Sequence, residues 1–328
     1  MKKKNLYISG MKSGEKVGTT FLVSEKNLAY SQKGAPYLNL RLKDKTGEMD
    51  GKVWENANEL DGYFKKGDIV YIVGRCLSYK NNLQLSVLEV KKIDDHEIDP
   101  ADFFPIAVRD ADDMFADLMV FVEQVQTPCL RDLLLAFFRD EQIIKLFKKA
   151  PAAKGFHHVY LGGLLEHTLS VIRLLDLAAG HYTDVNRDLL LAGGILHDIG
   201  KIHEFNYDRL IDYSDAGRLV GHIVIGVEML DAKIAKIEGF PENLAMELRH
   251  LILSHHGTLE YGSPKRPKTL EALIVHYIDD MDAKVNAFQT FVGGATDSES
   301  NWTPFHRLFE RYIYKGNRSY DDGSGQDR

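Results

Sequence analysis

The run Ile195-Leu196-His197-Asp198-Ile199-Gly200-Lys201 carries an apolar helical pattern into an adjacent histidine and aspartate, then a glycine and a lysine. A neutral imidazole and a hard carboxylate both donate to divalent cations, so this pair can bind one ion or bridge two. Neighbours on a helix point about 100° apart. The two side chains can therefore converge only on an ion near the helix end, where Gly200 breaks the pattern. A His-Asp dipeptide is common by chance, and its weight comes from what surrounds it. His167 stands in Gly162-Gly163-Leu164-Leu165-Glu166-His167-Thr168, His222 follows Gly221, and the pair His255-His256 precedes Gly257. Asp279 and Asp280 lie within Val275-His276-Tyr277-Ile278-Asp279-Asp280-Met281-Asp282. Each is polar, and each sits inside or at the edge of an apolar helical pattern. Burying such groups is costly unless they are paired or bound to metal, so several in one region argue for a shared metal centre.

Each residue alone has a plainer reading. A solitary His167 would be a helix cap or a satisfied core residue. His157 and His158, just before Tyr160, either line a phosphate path or are surface polar groups. His203, His250, His276 and His306 read as solvated or hydrogen-bonded within helices. Asp282 either orients a ligand or is surface. Other chemistries find no support: there is no Ser-His-Asp or Cys-His arrangement, and Gly162-Gly163 and Gly193-Gly194 make no phosphate-cradling motif. Mixed imidazole and carboxylate donors without cysteine favour Mn²⁺, Fe²⁺ or Mg²⁺ over a structural zinc. Mn²⁺ is expected, as one ion or two. Such an ion would offset the charge of a phosphodiester and make hydroxide available near neutral pH.

The elements that must hold these residues are helices. From Met114 to Val125 apolar residues recur at the helical period, ending at Thr127-Pro128. Further helices are predicted over 130–148, 161–179, 187–198, 219–236, 242–255, 269–292 and 303–314. Residues 5–93 read differently. Tyr37-Leu38-Asn39-Leu40-Arg41-Leu42 and Gln84-Leu85-Ser86-Val87 alternate as strands do, and Asp68 to Gly74 suits a buried strand. Five or six short strands between turn signals predict a small closed barrel. The expected organisation is a multidomain chain: an all-β OB-fold barrel over 1–95, a linker over 96–112, an all-α unit over 113–315 and a disordered tail over 316–328.

Charge divides along the same line. Residues 1–92 carry 17 Lys/Arg against 10 Asp/Glu, while the whole chain of 328 residues has net charge −7. A basic module joined to an acidic one fits attraction of a polyanion by the first and of cations by the second. Two distant cysteines, Cys76 and Cys129, exclude a disulfide framework and fit a reducing compartment. With no signal-type start and no run of about 18 apolar residues, a cytoplasmic protein without membrane insertion is expected.

The order of histidines and aspartates resembles the HD superfamily of metal-dependent phosphohydrolases. That resemblance implies His167, His197, Asp198 and Asp279 as core metal ligands, with His222, His255 and His256 completing a second metal position. Lys201 matches a lysine that touches substrate phosphate in some members, and His197, Asp198 and Lys201 would be catalytic. Asp279 is preferred over Asp280 because its spacing to Asp282 and Ala283 resembles a recurring Asp-x-x-Asp-Ala segment. In the barrel, aromatics for base stacking would be Phe21, Tyr30, Tyr37, Trp54 and Tyr79, with Lys26, Lys33, Arg41, Lys43, Lys52 and Lys80 for phosphates. Tyr37 and Trp54 could equally be core. The hairpin Leu42 to Trp54 resembles that of nucleic-acid-binding OB domains.

Together, an OB module followed by this helical unit resembles the YhaM family of 3′→5′ exoribonucleases. The segments that carry the likeness are Gly34-Ala35-Pro36-Tyr37-Leu38, Gly162 to Thr168, Leu196 to Lys201 and Ser254-His255-His256-Gly257. The family implies Mn²⁺-stimulated release of nucleoside monophosphates from single-stranded RNA, with single-stranded DNA and a homo-oligomer left open. One rival is hydrolysis of small nucleotides or cyclic dinucleotides with a regulatory barrel. Gly257 to Pro264 lacks the Asp-Gly-x-Gly-Tyr-Pro stretch frequent in the cyclic-dinucleotide branch. The other rival, a non-catalytic nucleic-acid binder, would need a broken ligand set.

Overall fold

The computed structural model describes residues 4–79, 82–94, 99, 102–103, 107, 109–154, 160–207, 211–295 and 300–316. Lys80, His157, His158 and the tail beyond 316 lie outside the described residues. Strict alternation builds the first unit. On β2 (Pro36–Asp44), Leu38, Leu40 and Leu42 are buried while Tyr37, Asn39 and Arg41 face outward. Strand β1 (Lys16–Tyr30) is long enough to pair with β2 at one end and with β4 (Ile69–Tyr79) at the other. With β3 (Gly47–Val53) and β5 (Asn82–Lys92), these close into a barrel in the order β1-β2-β3-β5-β4, its one parallel pairing being β3 with β5. A short helix, α1 (Ala57–Tyr63), joins β3 to β4. This is the OB fold, and closure removes the exposed sheet edges. Phe21, expected to stack bases, is instead fully buried among Val23, Leu38 and Ile72 in the barrel core. Its inward position on β1 is set by the same alternation. At one end of the barrel Phe103 packs on Leu22 and Ile69, and Leu161 from the helical unit joins that cluster.

The second unit is helical. α2 (Ala111–Gln124) is capped by Asp110, whose side chain accepts from the amides of Asp112 and Asp113. One helix was predicted over 130–148; two are found, α3 (Pro128–Phe138) and α4 (Glu141–Lys149). The apolar period runs through both, but Asp140 accepts from the amides of Gln142 and Ile143 and so starts a new helix. α5 (Gly163–His181) buries Leu164, Leu165, Leu169, Val171, Ile172 and Leu175. Each such side chain contributes about 1.5–3 kcal/mol relative to exposure. That burial carries His167 into the interior on the same helix.

α6 (Arg187–Leu196) is almost wholly buried and ends just before His197. α7 (Lys201–Glu204) and α8 (Asp215–Leu219) are short, and a two-residue ribbon pairs Phe205 with Tyr213 between them. α9 (His222–Ile234), α10 (Glu242–Ser254) and α11 (Leu270–Gly294) complete the bundle. The helix predicted over 303–314 is not formed. Those residues make a small antiparallel ribbon, with bridges Trp302–Tyr314 and His306–Arg311. Pro304 offers no amide hydrogen, and Glu310 turns the chain at a φ of 51°. Among the described residues no helix is long and apolar enough to cross a membrane.

Candidate metal centre

Four elements and the turn after α6 converge on one buried point. His167 comes from the first turns of α5, His197 and Asp198 from the turn, His222 from the first residue of α9, His255 and His256 from the end of α10, and Asp279 from the middle of α11. Glycines stand at several of these helix ends, at Gly200, Gly221 and Gly257. A Cβ on Gly200 would lie 2.0 Å from the carbonyl oxygen of His222, so only glycine lets α9 approach the His197-Asp198 turn this closely. Gly257 has φ of 76° and a Cβ there would meet the His276 ring at 2.1 Å. His276 in turn donates from Nδ1 to the His255 carbonyl at 2.8 Å, fixing the end of α10.

Two groups of donor atoms result. One is His167, His197 and Asp279; the other is His222, His255 and His256; within each, the donor atoms all lie within 4.8 Å of one another. Asp198 stands between them. Its Oδ2 is 3.3 Å from His197 Nε2 and 3.7 Å from His167 Nε2, while its Oδ1 is 3.5 Å from His222 Nε2 and 3.4 Å from His255 Nε2. Asp279 Oδ1 is 3.1 Å from His167 Nε2 and 3.7 Å from His197 Nε2. Asp280, one residue on, turns away and pairs with Lys284 at 2.7 Å.

The histidines share one tautomer. Nδ1 donates to Asp282 Oδ2 from His167 at 2.7 Å, to the Gly194 carbonyl from His197 at 2.7 Å, and to Glu204 Oε1 from His222 at 2.9 Å. His255 donates to the Ile252 carbonyl at 2.7 Å and His256 to the Tyr261 carbonyl at 2.8 Å. Every Nε2 is thereby aimed inward, the orientation a metal-binding imidazole requires once that nitrogen is free of a proton. Nε2 of His197, His222 and His255, and Oδ1 of Asp198, are buried with no hydrogen-bond partner. Buried polar atoms are rarely left so, and four of them around one point fit a divalent cation.

The two groups differ electrically. Burial disfavours a charged His197, but Asp198 and Asp279 outweigh it and lift its pKa to about 10. Burial likewise opposes ionisation of Asp198, yet Lys201 and His197 hold its carboxyl well below the usual range. Lys201 Nζ donates to Asp198 Oδ2 at 2.6 Å. On the other side, burial lowers the pKa of His222 and His255, and burial with the neighbouring His255 lowers His256 to about 4. Those three imidazoles are neutral at ordinary pH.

Several supporting residues have only faint sequence signals. Glu204 accepts both the amide and the ring N–H of His222, capping α9 and orienting its first ligand candidate together. Its only signal is a single glutamate after His203, flanked by Ile202 and Phe205. Asp282 lies one turn after Asp279 on α11 and also accepts from the Ser170 hydroxyl. His276, expected to bond within its own helix, reaches α10 instead.

On the barrel, Tyr37 and Trp54 stack on each other with ring centroids 4.7 Å apart, and Trp54 is 53% exposed. Lys52 lies over Tyr37 at 5.2 Å. Further along the same face Arg41 pairs with Asp50 at 2.9 Å and Glu48 at 3.2 Å, and Lys43 reaches Glu48 at 3.6 Å. Tyr30 and Lys33 lie exposed at the β1–β2 turn, and Tyr79 ends β4 separately. Lys26 is tied to α1 through Asp61 at 2.9 Å.

Comparison with known proteins agrees with this division. Residues 164–284 match the HD domain family, and residues 22–93 match the family of OB-fold nucleic acid binding domains. Among solved structures, the second OB-fold domain of replication protein A from Methanococcus maripaludis is 24% identical, covering 27% of this chain and 94% of that one, with TM-score 0.23. The single-stranded DNA binding protein from Thermus aquaticus is 19% identical over 24% of this chain and 40% of its own length, with TM-score 0.21, so less than half of it is spanned. The HD domain of the phosphodiesterase PgpH from L. monocytogenes is 21% identical, covering 47% of this chain and 80% of that domain, with TM-score 0.31. The chain thus joins an OB-fold barrel to a helical HD domain, the fold of a superfamily of metal-dependent phosphohydrolases.

Proposed function

We propose that the protein is a metal-dependent phosphodiesterase of single-stranded nucleic acid, acting as a 3′→5′ exoribonuclease that releases nucleoside monophosphates. The observation that carries the reading is Asp198, whose two oxygens face two separate sets of inward-aimed donors. His167, His197, Asp198 and Asp279 would hold one cation, and Asp198 with His222, His255 and His256 a second; Mn²⁺ suits these donors. When bound, such ions supply charge to offset the phosphodiester and to acidify water. The chain's own residues do the rest. Lys201 lines the cavity beside the centre and carries a cation toward an incoming phosphate. Asp282, Glu204 and the carbonyls of Gly194, Ile252 and Tyr261 hold the rings so that no ligand need reorganise. The barrel presents the Tyr37–Trp54 pair and Lys52, which suits stacking of bases and tracking of a backbone.

The test is a 5′-labelled RNA and its DNA counterpart incubated with Mn²⁺, with Mg²⁺ or with chelator. A product ladder that shortens from the 3′ end with Mn²⁺ and vanishes with chelator is expected. Internal cuts, or hydrolysis untouched by chelator, would refute the proposal.

A further inference from the structure

The cavity of about 450 Å³ beside the candidate metal centre has an apolar part to which the phosphodiester chemistry gives no role. It is lined on the one hand by Lys201, His255 and Asp279, and on the other by Tyr261, Leu308 and Phe309. The last two lie beyond α11, outside the region that matches the HD domain. The ribbon that carries them is anchored: Thr303 and Ile313 are buried, Phe309 meets Phe288 edge-on at 5.5 Å, and His306 meets Phe291 at 4.2 Å. A fixed ribbon nevertheless leaves Leu308 58% exposed, and Tyr261, 68% exposed, lines the same cavity. Single exposed apolar residues mean little. Apolar and aromatic side chains gathered around a concavity that reaches buried polar donors are the make-up of a small-ligand site. The rim charges cancel, since Lys284 is paired with Asp280 at 2.7 Å. The cavity thus offers phosphate chemistry at one part and an uncharged, ring-compatible wall at another, which is the chemistry of a nucleotide.

We propose that this cavity receives the base of the nucleotide being released, with Leu308, Phe309 and Tyr261 packing on its faces. The inference rests on the phosphodiesterase reading and adds a base-holding subsite to it. Stacking of a base on an aromatic side chain is sequence-tolerant, because every base has a π face. The subsite should therefore sense the presence of a base more than its identity.

The experiment compares two RNA oligonucleotides that differ only in whether the 3′-terminal residue carries a base or is abasic, with Mn²⁺ present. The wild-type protein should remove the intact terminal residue roughly 10-fold faster or more. The double variant Leu308→Ala, Phe309→Ala should bring that ratio close to one. Leu308→Ser, at an exposed position that leaves the Phe288 contact alone, should lower it part of the way. Because the readout is a ratio within one preparation, a loss of folded protein does not mimic it. A wild-type ratio of one, with RNA still degraded, would overturn the subsite and spare the phosphodiesterase reading. So would variants that slow both substrates equally, or that alter the sedimenting mass rather than the ratio. No Mn²⁺-dependent release from either substrate would overturn the phosphodiesterase reading itself.

Discussion

The helical unit and the barrel place their polar residues under opposite constraints. In the candidate metal centre His167, His197, Asp198 and His255 are buried, and each ring is held from behind by a specific acceptor. On the barrel Tyr30, Trp54 and Tyr79 stand in solvent, and the charges of β2 and β3 pair across the surface. A buried polar site costs several kcal/mol unless every member is satisfied, so it is specified as a unit. An exposed face carries no such penalty and can be built from independent parts. Substitutions in the first should therefore act all together, and those in the second should add up in small steps.

The sharpest break of that contrast is Asp198→Ala. It removes a carboxylate that faces both donor groups and leaves Lys201 buried without its 2.6 Å partner. Hydrolysis should fall by about 10³-fold or more, the scale of losing a group that acts as part of a unit. Binding of RNA to the barrel, followed by fluorescence anisotropy, should stay within about twofold of wild type if the two units work independently, the outcome expected when sites share no contacts.

A smaller effect should come from Asp282→Asn. The substitution keeps the shape beside His167 but weakens the acceptor that holds its Nδ1–H. Metal affinity measured by calorimetry should drop roughly 10–100-fold, the usual effect of an outer partner of a ligating histidine. A wild-type affinity would show that burial alone orients the ring.

The same contrast explains what could be read before the structure. Alternation in Tyr37 to Leu42 and helical periods around the histidines gave the two fold classes, because both patterns are local consequences of burial. The candidate ligands were readable as a group, because several His and Asp residues in apolar helical patterns are costly to bury unless they share partners, whereas none was informative alone. Glu204 was missed because one glutamate after His203 looks like any surface helix, and its partner His222 is 18 residues away. The ribbon at 302–314 was misread because aromatic residues at helical spacing fit a stripe, while Pro304 and the left-handed Glu310 act on the backbone alone. Phe21 was misassigned because type alone does not tell which face of a strand a ring occupies.

On the barrel, Trp54→Ala breaks the stacked pair with Tyr37. Affinity for single-stranded RNA should fall by about 1–3 kcal/mol, with hydrolysis of a saturating substrate little changed. A loss confined to the maximal rate would place Trp54 outside substrate capture.

The smallest effect is expected at Arg41, and it separates a charge that is present from one that is available. Arg41 is bound by both Asp50 and Glu48, which raise its pKa and neutralise its field. Lys33 lies exposed at the β1–β2 turn and, among the described residues, has no ion-pair partner. If each bound a phosphate, removing either would lower the salt slope of single-strand binding by about 0.7. Lys33→Ala should approach that change. Arg41→Ala should alter the slope by clearly less, because a guanidinium already held by Asp50 and Glu48 neutralises no phosphate. An Arg41→Ala slope as flat as that of Lys33→Ala would mean that RNA displaces Asp50 and Glu48 from the guanidinium, and the ion-paired end of β2 would then belong to the binding face along with Tyr37 and Trp54.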